Sequence, residues 1–180
     1  MVQAGILDDM IRQRLKTVLA PLRVVYAAMV GSILVYWIVV HLIRQVGQIP
    51  RGRDAFAAVD WLRYPLYVLG LTACVAVVVL RRRFFTPERV AHRARVGTLP
   101  ELLSTLSANQ VVVFAVGEIP VILGLALYFV GGYLLDFYIM AGLSLVAFAL
   151  AFPSATAWEQ MLVRIRAFRP QLFAPPGSSR

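Results

Sequence analysis

The sequence is poor in the residues that soluble catalytic chemistry uses. It has one cysteine, Cys74, two histidines, His41 and His92, and nine acidic residues among 180. A single cysteine closes no internal disulfide and builds no thiolate cluster, so Cys74 reads as a small packing residue. The histidines are far apart in the chain, and no Ser–His–Asp set or metal site can be assembled around either. No phosphate-binding loop and no dinucleotide motif is present. The expectation is a protein that is not an enzyme and carries no metal and no cofactor. Lysine is nearly absent too: all but one of the 18 basic residues are arginine, which reads as a composition bias. The net charge is +9, but no basic, aromatic-interleaved module stands apart from the apolar segments, which argues against nucleic acid as a partner.

What the chain has is apolar length. Hydrophobic residues make up 60% of it, charged residues 15%, and the mean hydropathy is +0.76; soluble domains of this size are less apolar and more charged. The apolar residues fall into four runs, 22–43, 64–80, 111–130 and 133–152. Each is near the ~20 residues a helix needs to cross hydrocarbon. The runs are continuous rather than alternating, which excludes barrel strands. The reading is all-α: a polytopic integral membrane protein of four transmembrane helices in two hairpins, with short amphipathic cytoplasmic helices. The first run is too long for the apolar part of a signal peptide, and IRQVGQIPRGR after it offers no cleavage site. It is read as a permanent helix.

Charge sets the orientation. The segments before the first run, between the second and third, and after the fourth hold 14 basic residues, counting Arg23, against four (Arg44, Arg51, Arg53 and Arg63) between the first and second. That asymmetry places both termini in the cytoplasm. The implied organisation is a cytoplasmic amphipathic segment over 1–21, a first hairpin over 22–80, a basic linker over 81–108, a second hairpin over 109–152, and a basic amphipathic segment with a disordered tail over 153–180. Arg81, Arg82 and Arg83, with Arg164, Arg166 and Arg169, are placed to meet anionic lipid headgroups.

Three segments outside the runs have helical apolar periodicity. Leu15, Val18 and Leu19 belong to the first, and Trp158, Met161, Leu162, Ile165 and Phe168 to the last. Such faces lie in a headgroup layer or dock on a protein partner. In the linker, Thr86-Pro87-Glu88 and Thr98-Leu99-Pro100-Glu101 are helix starts, predicting two short helices broken near Gly97. A further short helix is expected from Asp54. The second hairpin turns on Gly131-Gly132 alone.

The third run, VVVFAVGEIPVILGLALYF, has Glu118 and Pro120 near its centre. At 1.5 Å per residue Glu118 lies roughly 10–14 Å from the end of the run. An ionised carboxylate costs about 2.5–3.5 kcal/mol there on insertion scales, so a neutral, paired or water-facing acid is expected. Matching depth along the other runs brings Ser32, Thr72 and Ser144 to its level, a thin polar layer across the bundle. Pro120 removes a backbone donor and frees the carbonyl of Val116, which the Glu118 hydroxyl is placed to help satisfy. Gly117, Gly124 and Gly131 recur every seven residues and predict a helix-contact seam beside Glu118. Asp136, near the outer end of the fourth run, reads as an interfacial charge in reach of water.

The segment GEIPVILGL, with Gly117, Glu118, Pro120, Ile122, Gly124 and Leu125, resembles the ion-binding helix of rotary ATPase proteolipids, the c-type subunits. The resemblance covers about twenty residues. It implies that Glu118 binds and releases a proton or Na⁺ within an oligomer. The second run departs from the proteolipid pattern, having Gly70 and then bulky valines where alternating glycines belong, and the connection to the third run is long and basic. The whole pattern, with DFY, FP and WEQ in its last third, also resembles bacterial four-helix membrane proteins that share this helix. The function expected is a small membrane subunit of a homo- or hetero-oligomer, bound to a protein partner or to further copies, with a midplane carboxyl for H⁺ or Na⁺. The alternative is a structural scaffold in which Glu118 only holds helices together.

Overall fold

A computed structural model of the protein describes residues 2–47, 60–86, 90 and 99–168, with the backbone alone for 2–12, 14 and 168. Among the described residues there are five helices and no strand: α1 (Val2–Val46), α2 (Asp60–Phe84), α3 (Leu99–Gly131), α4 (Leu134–Ala151) and α5 (Ala155–Phe168). Four stretches, Leu15–Val46 of α1 and all of α2, α3 and α4, are long and apolar enough to cross a membrane. The helix expected from Asp54, the linker break at Gly97, Arg169, His92 and the tail lie outside the described residues.

Three of the helices, α1, α2 and α3, are longer than their apolar runs. The basic segment before the first run and the run itself form one 45-residue helix through Pro21. A proline inside a helix costs about 3 kcal/mol, but Leu19 and Leu22, buried on either side of it, hold the chain helical. The linker segment from Leu99 likewise continues without interruption into the third run, giving 33 residues, roughly 50 Å of helix. The start expected as a separate short helix is therefore the start of the longer one: after Pro100 no glycine or proline follows until Gly117. α2 begins at Asp60, four residues before its apolar run, so Arg63 belongs to the helix and not to a connection.

By contacts the chain forms two compact units, one from Met1–Val25, Leu80–Val112 and Pro153–Arg180, the other from Tyr26–Val79 and Val113–Phe152. The core of the first is Leu15, Leu19, Leu22, Val90, Leu102, Leu103, Leu106, Trp158, Met161, Leu162 and Ile165, with Phe85 beside Trp158. These are the apolar faces of the three amphipathic segments. They cover one another, whereas the sequence reading placed the first and last on lipid or on a partner, and Leu99, Leu102, Leu103 and Leu106 of the linker on the membrane or on the ends of the bundle. Burying each face against two others removes more apolar surface from water than laying it on an interface.

In the second unit α3 and α4 are the central pair. The most apolar windows of α3 and α4 are 44% and 39% buried, against 17% in both α1 and α2. α3 and α4 are joined by a turn in which Gly132 takes φ 68° and donates to the Tyr128 carbonyl at 2.8 Å. That left-handed conformation favours glycine. α1 packs on this pair through Tyr26, which meets the rings of Phe114, Phe148 and Phe152 edge-on, and through the Val40 carbonyl, which accepts the Tyr128 hydroxyl at 3.1 Å. α2 packs on it through Gly70 and Val77.

Candidate functional site

Glu118 lies between α3 and α1. Its Oε1 is 2.6 Å from Ser32 Oγ and accepts from the Tyr36 hydroxyl at 3.1 Å. Ser32 and Tyr36 are four residues apart on α1, one turn on one face, so a single helix presents both hydroxyls. Ser32 Oγ is also 2.7 Å from the Met29 carbonyl of its own helix. All three side chains are partly exposed. Among the described residues no lysine or arginine pairs with Glu118. The arrangement offers a carboxyl two neutral hydroxyls, which can donate to it or accept from it.

Two residues later Pro120 interrupts the donor ladder of α3. The next amide, Val121, donates to Ser144 Oγ of α4 at 2.9 Å, with Ser144 fully buried. Ser144 is therefore engaged with the backbone next to the proline and not with the carboxyl. Beyond it, α3 and α4 approach closely at Gly124, where a Cβ would lie 2.6 Å from Met140 Cβ and 3.2 Å from Phe137 Cα. At Gly117 a Cβ would meet Ala147, Phe148 and Val77 at ordinary contact distances of 3.7–3.8 Å. Gly131 faces the ring of Tyr133, in the turn itself. Of the seven-residue glycine series, Gly124 is the position where two helices require the missing side chain.

The remaining expected layer residue, Thr72, is exposed on α2 and donates to the Val68 carbonyl of its own helix at 2.7 Å. Depth along a helix is readable from a sequence, but azimuth is less so: Thr72 has the right level and the wrong face. Tyr36, one turn from Ser32, has the right face and reaches Glu118 by length. Cys74, partly buried, lies 3.7 Å from the Leu143 carbonyl, consistent with a packing residue.

A second polar group was not anticipated. Asp136, expected at an interface with water, is 2% exposed. Its carboxylate accepts from Arg63 Nε at 2.7 Å and Nη2 at 2.8 Å, a bidentate pair, and from the Tyr67 hydroxyl at 3.0 Å. The guanidinium also stands 4.5 Å over the ring of Tyr133, whose hydroxyl donates to Asp60. That bond, followed by desolvation, raises the Tyr133 pKa above the usual phenol value. Asp60 and Asp136 both sit in the first turn of their helices, where the helix dipole favours negative charge. The correction to Asp136 has a simple cause: with α2 starting at Asp60, Arg63 and Tyr67 share one face of a helix and reach α4 together.

Among the expected headgroup residues, Arg82, Arg83 and Arg164 are exposed, while Arg81 and Arg166 are partly exposed. Compared with protein-family models, with curated proteins and with solved structures, the chain matches none.

Proposed function

We propose that this chain is a small multi-pass protein of the bacterial cytoplasmic membrane and a subunit of a homo- or hetero-oligomeric assembly, in which the Glu118 carboxyl binds a proton or Na⁺. One observation carries the reading. A glutamate inside a candidate span is held by two hydroxyls and by no counter-charge. Ionisable groups at such depth pair with one another or mark an ion pathway, and this one has no charged partner among the described residues. The likeness of its helix to the proteolipid ion-binding helix supports the same role.

The proposed topology has the spans in two hairpins and both termini in the cytoplasm. Its support is the 14-to-4 division of basic residues. The amphipathic segments then form a cytoplasmic helical unit, and Arg82, Arg83 and Arg164 meet anionic headgroups or a protein partner. The test is modification by a carboxyl-reactive carbodiimide in native membranes. Labelling at Glu118, abolished in Glu118→Gln, is the expected result; a folded protein that does not label overturns the reading.

A second reading, a scaffold, is favoured by one feature: Ser32 and Tyr36 tie α1 to α3 through the carboxyl, a contact that suffices to fix helix packing. If Glu118→Gln leaves assembly and transport phenotypes intact while removal of residues 154–180 loses a co-purifying partner, this reading replaces the first.

A further inference from the structure

The two units of the chain treat their cations differently. In the second unit Arg63 has carboxylate partners in Asp136 and Asp60. In the first, Lys16, Arg23, Arg82, Arg83 and Arg164 are exposed, and none of them pairs with a carboxylate among the described residues. The apolar faces of the same segments are packed against one another, in the core around Leu19, Leu106, Trp158 and Ile165. The large apolar side chains left exposed in this unit are Val24, Val111, Val112 and Val163. The first three adjoin the points where the chain passes to the other unit. What the first unit turns outward is therefore mainly unpaired positive charge.

Three of these cations follow directly on the end of the apolar bundle. Within the second unit, α2 and α4 run side by side in one direction. A Cβ on Gly70 would lie 2.9 Å from Met140 Sδ, and Cys74 Sγ is 3.7 Å from the Leu143 carbonyl. Carried along both helices, that offset brings Val79 level with the last turn of α4, which ends at Ala151. Tyr26 of α1 meets the ring of Phe152, the next residue. The bundle thus ends at one level on these helices, and Arg23 lies three residues before Tyr26 on α1. Arg82 and Arg83 lie three and four residues after Val79 on α2. At 1.5 Å per residue that is roughly 5 Å beyond the bundle's end. The headgroup layer on each side of a bilayer is roughly 5–7 Å thick. Lys16 lies seven residues before Arg23, roughly 10 Å farther out, which exceeds the Debye length of about 8 Å at physiological ionic strength.

From this, and resting on the membrane topology proposed above, we infer that Arg23, Arg82 and Arg83 bind the phosphate groups of anionic phospholipids, by charge and not by an amphipathic face laid in the bilayer. A guanidinium offers phosphate two parallel N–H donors. A basic residue close to an anionic membrane surface strengthens association about fivefold. Lipid is the occupant that fits, because the three arginines stand at headgroup depth. A protein partner would need apolar surface to seat it, and the apolar faces of this unit are closed in its own core.

The experiment reconstitutes the full-length protein in phosphatidylcholine bilayers with a trace of spin-labelled phosphatidylglycerol or spin-labelled phosphatidylcholine. The fraction of each label slowed at the protein surface gives the preference between the two lipids. Wild type is expected to prefer phosphatidylglycerol, and the preference is expected to vanish in about 1 M sodium chloride, where the Debye length is about 3 Å. Arg23→Gln, Arg82→Gln and Arg83→Gln should each lower it, by about fivefold at most. The corresponding lysine variants, which keep the charge, should retain it. Lys16→Gln should change it little. A preference that survives high salt overturns binding by charge, and an equal loss in Lys16→Gln overturns the assignment to these three arginines. Inorganic phosphate that displaces the lipid more than sodium chloride of equal ionic strength gives the site to free phosphate instead. An unchanged preference in the triple glutamine variant, with loss of a co-purifying protein, gives it to a protein partner. A chain washed from native membranes by alkaline carbonate overturns the membrane reading itself.

Discussion

Glu118 and Asp136 are carboxyls of neighbouring helices in one unit, and their surroundings are opposite. Asp136 is almost completely buried and meets a guanidinium through two bonds, with a tyrosine as a third donor. Glu118 is partly exposed and, among the described residues, bonds the hydroxyls of Ser32 and Tyr36. A bidentate arginine holds a carboxylate in place even where water is excluded. The difference separates a carboxyl fastened to an arginine of a neighbouring helix from a carboxyl bonded to hydroxyls of another.

The largest test of that contrast replaces each carboxyl in turn. Asp136→Asn strips Arg63 of its carboxylate and is expected to cost about 3 kcal/mol of stability, the low end for breaking a buried pair because the arginine keeps some access to solvent. Glu118→Gln keeps a donor and an acceptor at the site and is expected to cost below about 1 kcal/mol. Unfolding by a denaturing detergent in micelles reads both, and equal losses would break the comparison. Replacing Arg63 and Asp136 together by Met and Leu should recover most of the loss.

A smaller effect sharpens the boundary of the Glu118 site. Ser144→Ala leaves the Val121 amide without its hydroxyl acceptor and is expected to destabilise by about 1–2 kcal/mol, with the carbodiimide rate at Glu118 unchanged. Ser32→Ala is expected to do the reverse, shifting the pH profile of labelling. A shifted profile in Ser144→Ala would place that serine in the site after all.

The smallest effect concerns the exposed rim of the Asp136 cluster. The Tyr133 pKa is raised by its bond to Asp60. The contribution is fully present below the unfolded phenol value of about 10 and is lost as pH rises through the folded one. Wild type should therefore lose stability more steeply than Tyr133→Phe in that range. Identical slopes would mean that the rim adds nothing to the Arg63–Asp136 pair.

The four helices long and apolar enough to cross a membrane were legible in the sequence because each carries a continuous apolar run near 20 residues. The level of Ser32 with Glu118 was legible because depth follows from counting residues along a helix. Azimuth was harder: Thr72 stands at the same level facing away, and Tyr36, a turn off, reaches in. The Arg63–Asp136 pair was hidden by one boundary. With α2 begun at Tyr64, Arg63 belonged to a loop; begun at Asp60, it shares a face with Tyr67. The amphipathic segments were readable as faces, but a pattern on one helix does not name what covers it. Leu102, Leu106, Trp158 and Ile165 found each other, a tertiary fact beyond any single periodicity.

The two-residue connection at Gly132 and Tyr133 has a consequence for synthesis. In the proposed topology, with no room for a pause between them, α3 and α4 enter the bilayer as one event, after Arg63 has been delivered to the outer side. Being 38% exposed even when paired, it can wait in contact with water and headgroups. Asp136 arrives last, into a place where its partner already stands. The order of translation thus protects the more buried acid from crossing the membrane without a destination.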